Sequence, residues 1–203
     1  MSLLAVAHGS RDPRAQQAVE ALLDAVRARQ PGLSVRAAYL DHARPSVAEA
    51  LAETPDAVVV PLLLSRGYHL GVDLGSVAPS LGPDPLLTTA LQDRLAQAGA
   101  PPDVPVVLAA AGTSDLAGRA DVEAQAGLLA AARRTEVTVA YLTDAPPRLS
   151  VRTAVAAYLL WPGHFADRLA EWGARWVSAP LADHPAVAEL VLARAQPGRT
   201  APA

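Results

Sequence analysis

The chain repeats itself at an interval of about a hundred residues, and this repetition narrows the available folds more than any other feature. LLAVAHGSRD at 3–12 returns as VVLAAAGTSD at 106–115, with Gly112 against Gly9 and Asp115 against Asp12. VRAAYL at 35–40 returns as VTVAYL at 137–142. VVPLLLSRGYH at 59–69 is answered by AAYLLWPGHF at 156–165, and PSLGPDPLLTTALQDRL at 79–95 by APLADHPAVAELVLARA at 179–195. The stretch GAPPDVP at 99–105 reads as the linker between the copies. The expected organisation is an N-terminal half over 1–99, a C-terminal half over 104–196 and a disordered tail over 197–203.

Within the first half, apolar strands alternate with amphipathic helices. LLAVA at 3–7 is wholly apolar; Asp12 then offers a helix N-cap and Pro13 a first helical position. The helix that follows gathers Ala18, Leu22, Ala25 and Val26 on one face, and Pro31-Gly32 ends it. LSVRAAYL at 33–40 alternates as a strand, Pro45 starts a second helix, AVVVPLLL at 57–64 is a third strand, and Asp84-Pro85 opens another helix. Continuous apolar strands separated by such helices predict a parallel sheet covered on both faces. The fold class is therefore α/β: two similar doubly wound parallel-sheet halves, an internal duplication, facing a central cleft.

Composition removes several classes of function. Cysteine is absent, which excludes disulfides, a thiolate nucleophile and an iron–sulfur cluster. A net charge of -3 and 4% aromatic residues argue against a nucleic-acid partner. No apolar run is long enough to span a bilayer, and the short first run has no basic residue before it, so neither a membrane anchor nor a signal peptide is expected. The expected location is the cytoplasm. All 17 basic residues are arginine. The abundance of Ala, Arg, Gly and Pro points to coding bias as the main cause, while the guanidinium fork also suits a carboxylate-bearing ligand.

Two histidines stand out because the second copy does not keep them: Ala111 occupies the place of His8, and Phe165 stands near that of His69, with His164 one position away. With strand order 2-1-3, right-handed crossovers set the first and third strands side by side, about 4.8 Å apart. His8 and His69 then converge at the carboxyl edge of the sheet, where open α/β folds bind ligands. Two imidazoles without a thiolate make an incomplete metal site, suited to holding a borderline divalent ion such as Co²⁺, Fe²⁺ or Ni²⁺ loosely. They can also accept protons near neutrality. His42, His164 and His184 read as structural, with His164 a lesser candidate for an extra ligand from the opposing half. Gly9 and Gly67 read as turn formers.

The stretches AHGSRDPRA, AYLDHARPSVAEAL, VVVPLLLSRGYHLGVDL and LGPDPLL resemble the sirohydrochlorin chelatases of the CbiX/SirB type, class II chelatases related to ferrochelatase. The resemblance implies ATP-independent insertion of Co²⁺ or Fe²⁺ into sirohydrochlorin, toward cobalamin or siroheme. No permanently bound cofactor is implied, since the metal is a substrate. The metal-facing histidines of the family fall on His8 and His69, and an acidic residue of its second-strand loop on Asp41. Catalysis is thus expected from His8, His69 and Asp41. Ser10, Arg11, Arg44, Arg66 and Tyr68 are expected to contact the tetrapyrrole, the arginines through its carboxylates and Tyr68 by stacking; Arg11 is also positioned to cap or pair with Asp12. One chain supplies both walls of a cleft, so a monomer is plausible. Between His69 and Pro85 the chain is about a helical turn shorter than the matching stretch of its second half, with Gly71 and Gly75 interrupting the helix expected there. Two other readings stand beside the enzyme. One is a non-catalytic metal or tetrapyrrole carrier. The other is a phosphohistidine phosphatase, which would want an arginine where Ala7 stands.

Overall fold

The computed structural model describes residues 2–66 and 77–196. Gly67, Tyr68, His69, residues 70–76 of the shortened 70–84 stretch and the 197–203 tail lie outside them. The first half contains β1 (Ser2–Ala7), α1 (Pro13–Arg29), β2 (Ser34–Tyr39), α2 (Val47–Glu53), β3 (Val58–Pro61) and α3 (Pro85–Gln97). The second contains β4 (Val106–Ala110), α4 (Leu116–Arg133), β5 (Val137–Tyr141), β6 (Ala154–Tyr158), α5 (His164–Leu169), β7 (Trp176–Val177) and α6 (Pro185–Ala195). Among the described residues they form two parallel sheets, ordered β2-β1-β3 and β5-β4-β6-β7. The 2-1-3 order is the one the crossover argument requires, and the second sheet repeats it. No helix among the described residues is long and apolar enough to cross a membrane.

Local chemistry accounts for most element boundaries. Asp12 caps α1 by accepting the Arg14 N–H at 2.9 Å, with Pro13 in the first turn. Asp84 caps α3 through the Leu86 N–H and Asp115 caps α4 through the Ala117 N–H. Pro45 does not start α2. Ser46 is the cap instead: its hydroxyl accepts the Glu49 N–H while the Glu49 carboxylate accepts the Ser46 N–H, a reciprocal arrangement that satisfies two backbone donors. The third strand is also shorter than 57–64. β3 ends at Pro61, although the Leu62 N–H still donates to Val6 O at 2.7 Å. The two-residue β7 on the edge of the second sheet has no counterpart in the sequence reading.

The packing crosses between the repeats. α3, which follows β3 in the chain, lies against α4 and β6 of the second half. α6, which follows β7, lies against α1 and β3 of the first. Leu87, Leu91 and Leu95 of α3 and Val187, Leu190 and Val191 of α6 therefore share one buried core with both sheets. The outer faces close separately. α2 covers Leu4, Val6 and Val59, and α5 with the following turn covers Val107, Val155 and Ala157. Polar groups at the helix junction are paired, as burial demands. Arg194 donates to Ser80 O, Leu81 O and the Asp84 carboxylate at 2.9–3.0 Å. The fully buried Gln125 bridges the Asp84 N–H and the Thr88 hydroxyl.

Candidate functional site

His8 is the first residue beyond β1 and is exposed. Pairing with the neighbouring chain continues past the strand ends: Leu40 N–H donates to Ala7 O at 3.0 Å and Asp41 N–H to His8 O at 2.9 Å. His8 and Asp41 are thereby fixed beside each other at the carboxyl edge of the sheet. Gly9 makes this possible. Its φ of +93° lies in the left-handed region, and a Cβ there would come within 1.7 Å of Asp41 O. The histidine at the end of the strand is thus held by a backbone-to-backbone contact that a side chain at the next position would prevent.

The second half builds the same turn. Leu142 N–H donates to Ala110 O at 2.9 Å, Gly112 has φ +123°, and a Cβ on it would lie 2.3 Å from the Thr143 hydroxyl. Ser10 accepts the Asp12 N–H at 3.0 Å as Thr113 accepts that of Asp115 at 3.1 Å. The glycine turn and the strand-end bond recur, but the bond from Asp41 N–H to His8 O does not, Ala111 replaces His8 and Thr143 replaces Asp41. The turn does not need an imidazole or a carboxylate to form.

The other expected site residues separate into groups. The Asp41 carboxylate accepts the His42 N–H at 2.7 Å and stands 3.4 Å from His42 Nδ1. His42, with φ +59°, lines the same shallow groove as Tyr39, Asp41, Arg44 and Ser46. Burial pushes the Tyr39 phenol up. Arg44 is exposed and paired with Glu49. Ser10 uses its oxygen on the turn. Arg11 is exposed and makes no ion pair among the described residues; Asp12 is taken by Arg14 instead, which also bridges to Asp167 at 2.6 Å. Arg66 is committed to Asp121 of α4 at 2.6 Å, an interaction that raises the Arg66 pKa.

His184 is structural in detail. Its Nδ1 accepts the Ala186 N–H, capping α6, so Nε2 carries the proton and donates to Asp93 of α3 at 3.1 Å. His164 opens α5, where the bare Gly163 approaches Asp12 closely enough to put a Cβ 3.2 Å from its carboxylate. Arg14–Asp167 joins the first turn of α1 to α5, and Arg66–Asp121 joins the segment after β3 to α4. Neither Asp121 nor Arg14 was anticipated. A signal for the first exists in the α4 pattern, where Asp121 and Gln125 fall on the apolar stripe with Gly118, Val122, Ala126 and Leu129.

Among the described residues no three His, Cys, Asp or Glu side chains gather as a metal cluster. The CbiX family model matches residues 2–78. That match covers 77 of the 203 residues. A curated relative, the sirohydrochlorin cobaltochelatase of Methanococcoides burtonii, is 27% identical over 82 residues, which is 38% of this chain and 63% of that protein. SirB from Bacillus subtilis with Fe3+ has the same fold: TM-score 0.78 at 24% identity, covering 95% of this chain and 93% of that one. A SirB structure from Bacillus subtilis subspecies spizizenii in complex with cobalt gives 0.77 at 24% identity, covering 96% and 93%. The resemblance to CbiX/SirB-type chelatases therefore holds in sequence over the first half and in fold over nearly the whole chain.

Proposed function

We propose that this protein inserts a divalent metal ion, Co²⁺ or Fe²⁺, into sirohydrochlorin without ATP. The observation that carries the reading is the His8–Asp41 turn: a scaffold built twice in the chain, with an imidazole and a carboxylate in only one copy. The CbiX match over the copy that has them supports it.

Metallation exchanges one M²⁺ for the two pyrrole N–H protons of the macrocycle. In this reading His8 and His69 hold the ion on one face of the ring and take up those protons, and Asp41 passes them outward or steadies an imidazole. A site with two protein imidazoles holds its ion weakly enough to give it up. Arg11 and Arg44, both exposed, meet the substrate's carboxylates, with Ser10, Arg66 and Tyr68 completing the contact surface. A single chain is the working unit, and the choice between cobalt and iron is left to the metal supplied.

The test is anaerobic mixing of purified protein with sirohydrochlorin and Co²⁺ or Fe²⁺, followed by the absorbance change of metallation. Wild type should exceed the spontaneous rate, and His8→Ala and His69→Ala should each fall by about a hundredfold or more, the scale of a lost acid–base group. Tight binding of metal or tetrapyrrole with no acceleration would replace the enzyme by a carrier.

A further inference from the structure

The two halves meet at a crossed pair of close contacts. Gly118 of α4 lies against Arg66 O, which a Cβ there would approach to 2.4 Å, and Gly163 before α5 lies against the Asp12 carboxylate before α1, 3.2 Å from a Cβ. The carboxyl edges of the two sheets therefore face each other, and the Gly112 turn stands across from the His8–Asp41 turn. At the places of His8 and Asp41 it carries Ala111 and Thr143. What it holds beside them is a fixed guanidinium. Arg119, in the second turn of backbone after the Asp115 cap, donates from Nε to Thr113 O at 2.9 Å, and its Cζ stands 4.7 Å from the centre of the Tyr141 ring.

The turn itself does not require this arginine. By the repeat, Arg119 corresponds to Gln16 and Thr113 to Ser10, and Gln16 Nε2 makes the same link to Ser10 O at 3.4 Å. An amide suffices for the link. Arg119 spends only Nε on it, and neither Nη has a partner among the described residues. Burial, then Glu123 and Asp144, push the Tyr141 phenol up, yet neither acid forms an ion pair with Arg119. An exposed guanidinium held by a carbonyl and an aromatic ring has already lost much of its rotamer freedom, so its fork is pre-organised for a carboxylate. Leu116 lies three residues earlier on the same helix face, with its Cβ about 5–6 Å away. It stands where the first half has Pro13, and it is 82% exposed. An open apolar side chain next to a carboxylate-binding fork matches a flat macrocycle with an apolar face and an acidic rim.

We propose that Arg119 is a specificity-determining residue for the tetrapyrrole: its two outer nitrogens take a carboxylate on the rim of the macrocycle, with Leu116 against the ring face, and so set the ring toward the His8–Asp41 turn. The inference rests on the reading that sirohydrochlorin is the substrate. The duplicated turn then divides the work. The first copy handles metal and protons, and the second selects and orients the organic partner by its rim.

Metal-free sirohydrochlorin is the probe, titrated anaerobically and read by its absorbance. Its octamethyl ester, with the same ring and no charged rim, is titrated beside it in the same water–cosolvent mixture. Arg119→Gln installs the residue that the first half uses at this position, so the link to Thr113 O survives. It is expected to weaken the acid by about tenfold or more, the scale of one charge-assisted hydrogen bond, and to leave the ester unchanged. The Co²⁺ dissociation constant from calorimetry and the melting temperature should match wild type. In turnover, the KM for the tetrapyrrole should rise while the KM for Co²⁺ stays. Leu116→Asp, at a position open to solvent, puts a negative charge beside the fork and runs the same comparison if Arg119→Gln does not fold. Wild-type affinity for the acid in Arg119→Gln, with metallation intact, would overturn the inference and leave the chelatase reading standing. Equal losses for acid and ester would overturn it as well, since no carboxylate would be involved. A fall in Co²⁺ affinity or melting temperature would assign Arg119 a general structural role instead. A wild-type protein that binds no sirohydrochlorin would remove the chelatase reading, and this contact with it.

Discussion

A methyl group on Gly9 would meet the Asp41 carbonyl at 1.7 Å, while one on Gly32 would meet nothing within 4 Å. The two glycines have nearly the same φ, +93° and +91°, so the pair separates backbone strain from steric contact. Gly32→Ala should cost about 1 kcal/mol, the strain of a left-handed L-residue. Gly9→Ala should cost about 2–4 kcal/mol, because the Asp41 loop must also retreat. Urea unfolding of both variants measures the difference, and equal losses would mean that the Gly9–Asp41 contact carries no weight. At this scale the sequence revealed the turn and the histidine at its head, since Gly9 and His8 are adjacent and the repeat supplied a control in Ala111. It did not reveal that Asp41 is locked to His8 through the backbone. Nor did it show that Arg14 rather than Arg11 takes Asp12, because Arg14 is drawn by Asp167, 153 residues away.

Elements were legible wherever a cap or a break is local. Asp12, Asp84 and Asp115 each mark a helix start beside the residues they serve. Which sheet a helix covers was not legible, since an apolar stripe records only that a face is buried. α3 and α6 exchange between the halves for this reason without leaving a trace in their periodicity. His184 is a polar link in the exchange, joining the first turn of α6 to Asp93 of α3. His184→Ala should lower stability by about 1–2 kcal/mol, the range of a lost N-cap, and leave Co²⁺ affinity unchanged. Chemical denaturation and Co²⁺ titration of that variant check both halves of the statement. A loss of metal affinity would give this imidazole a role the fold does not suggest.

For the molecule as a whole, the ionic bridge from Arg14 to Asp12 and Asp167 ties the start of α1 to α5. Hydrogen bonds from Arg14 hold both carboxyls below the ordinary aspartate value of 3.8. A pKa depressed in the folded state means that the contribution is complete above the unfolded value and is lost as pH falls through the folded one. The melting-temperature gap between wild type and Arg14→Ala should therefore be constant above about pH 5 and close below about pH 4. Melting curves across that range decide it, and a gap that persists at low pH would mean Arg14 acts by packing rather than charge. All three groups are substantially exposed or part-exposed, so the gap itself is small.

The helix exchange sets a schedule for the ribosome. α6 covers β3 and α1, yet it is made only after the whole second half, more than a hundred residues behind the sheet it completes. At bacterial-to-eukaryotic synthesis rates the wait is on the order of ten seconds. Through that interval the nascent first half has its His8–Asp41 turn but not its cover, and the apolar flank awaiting Val187, Leu190 and Val191 is open to chaperones, or to a neighbouring nascent chain able to lend its own α6.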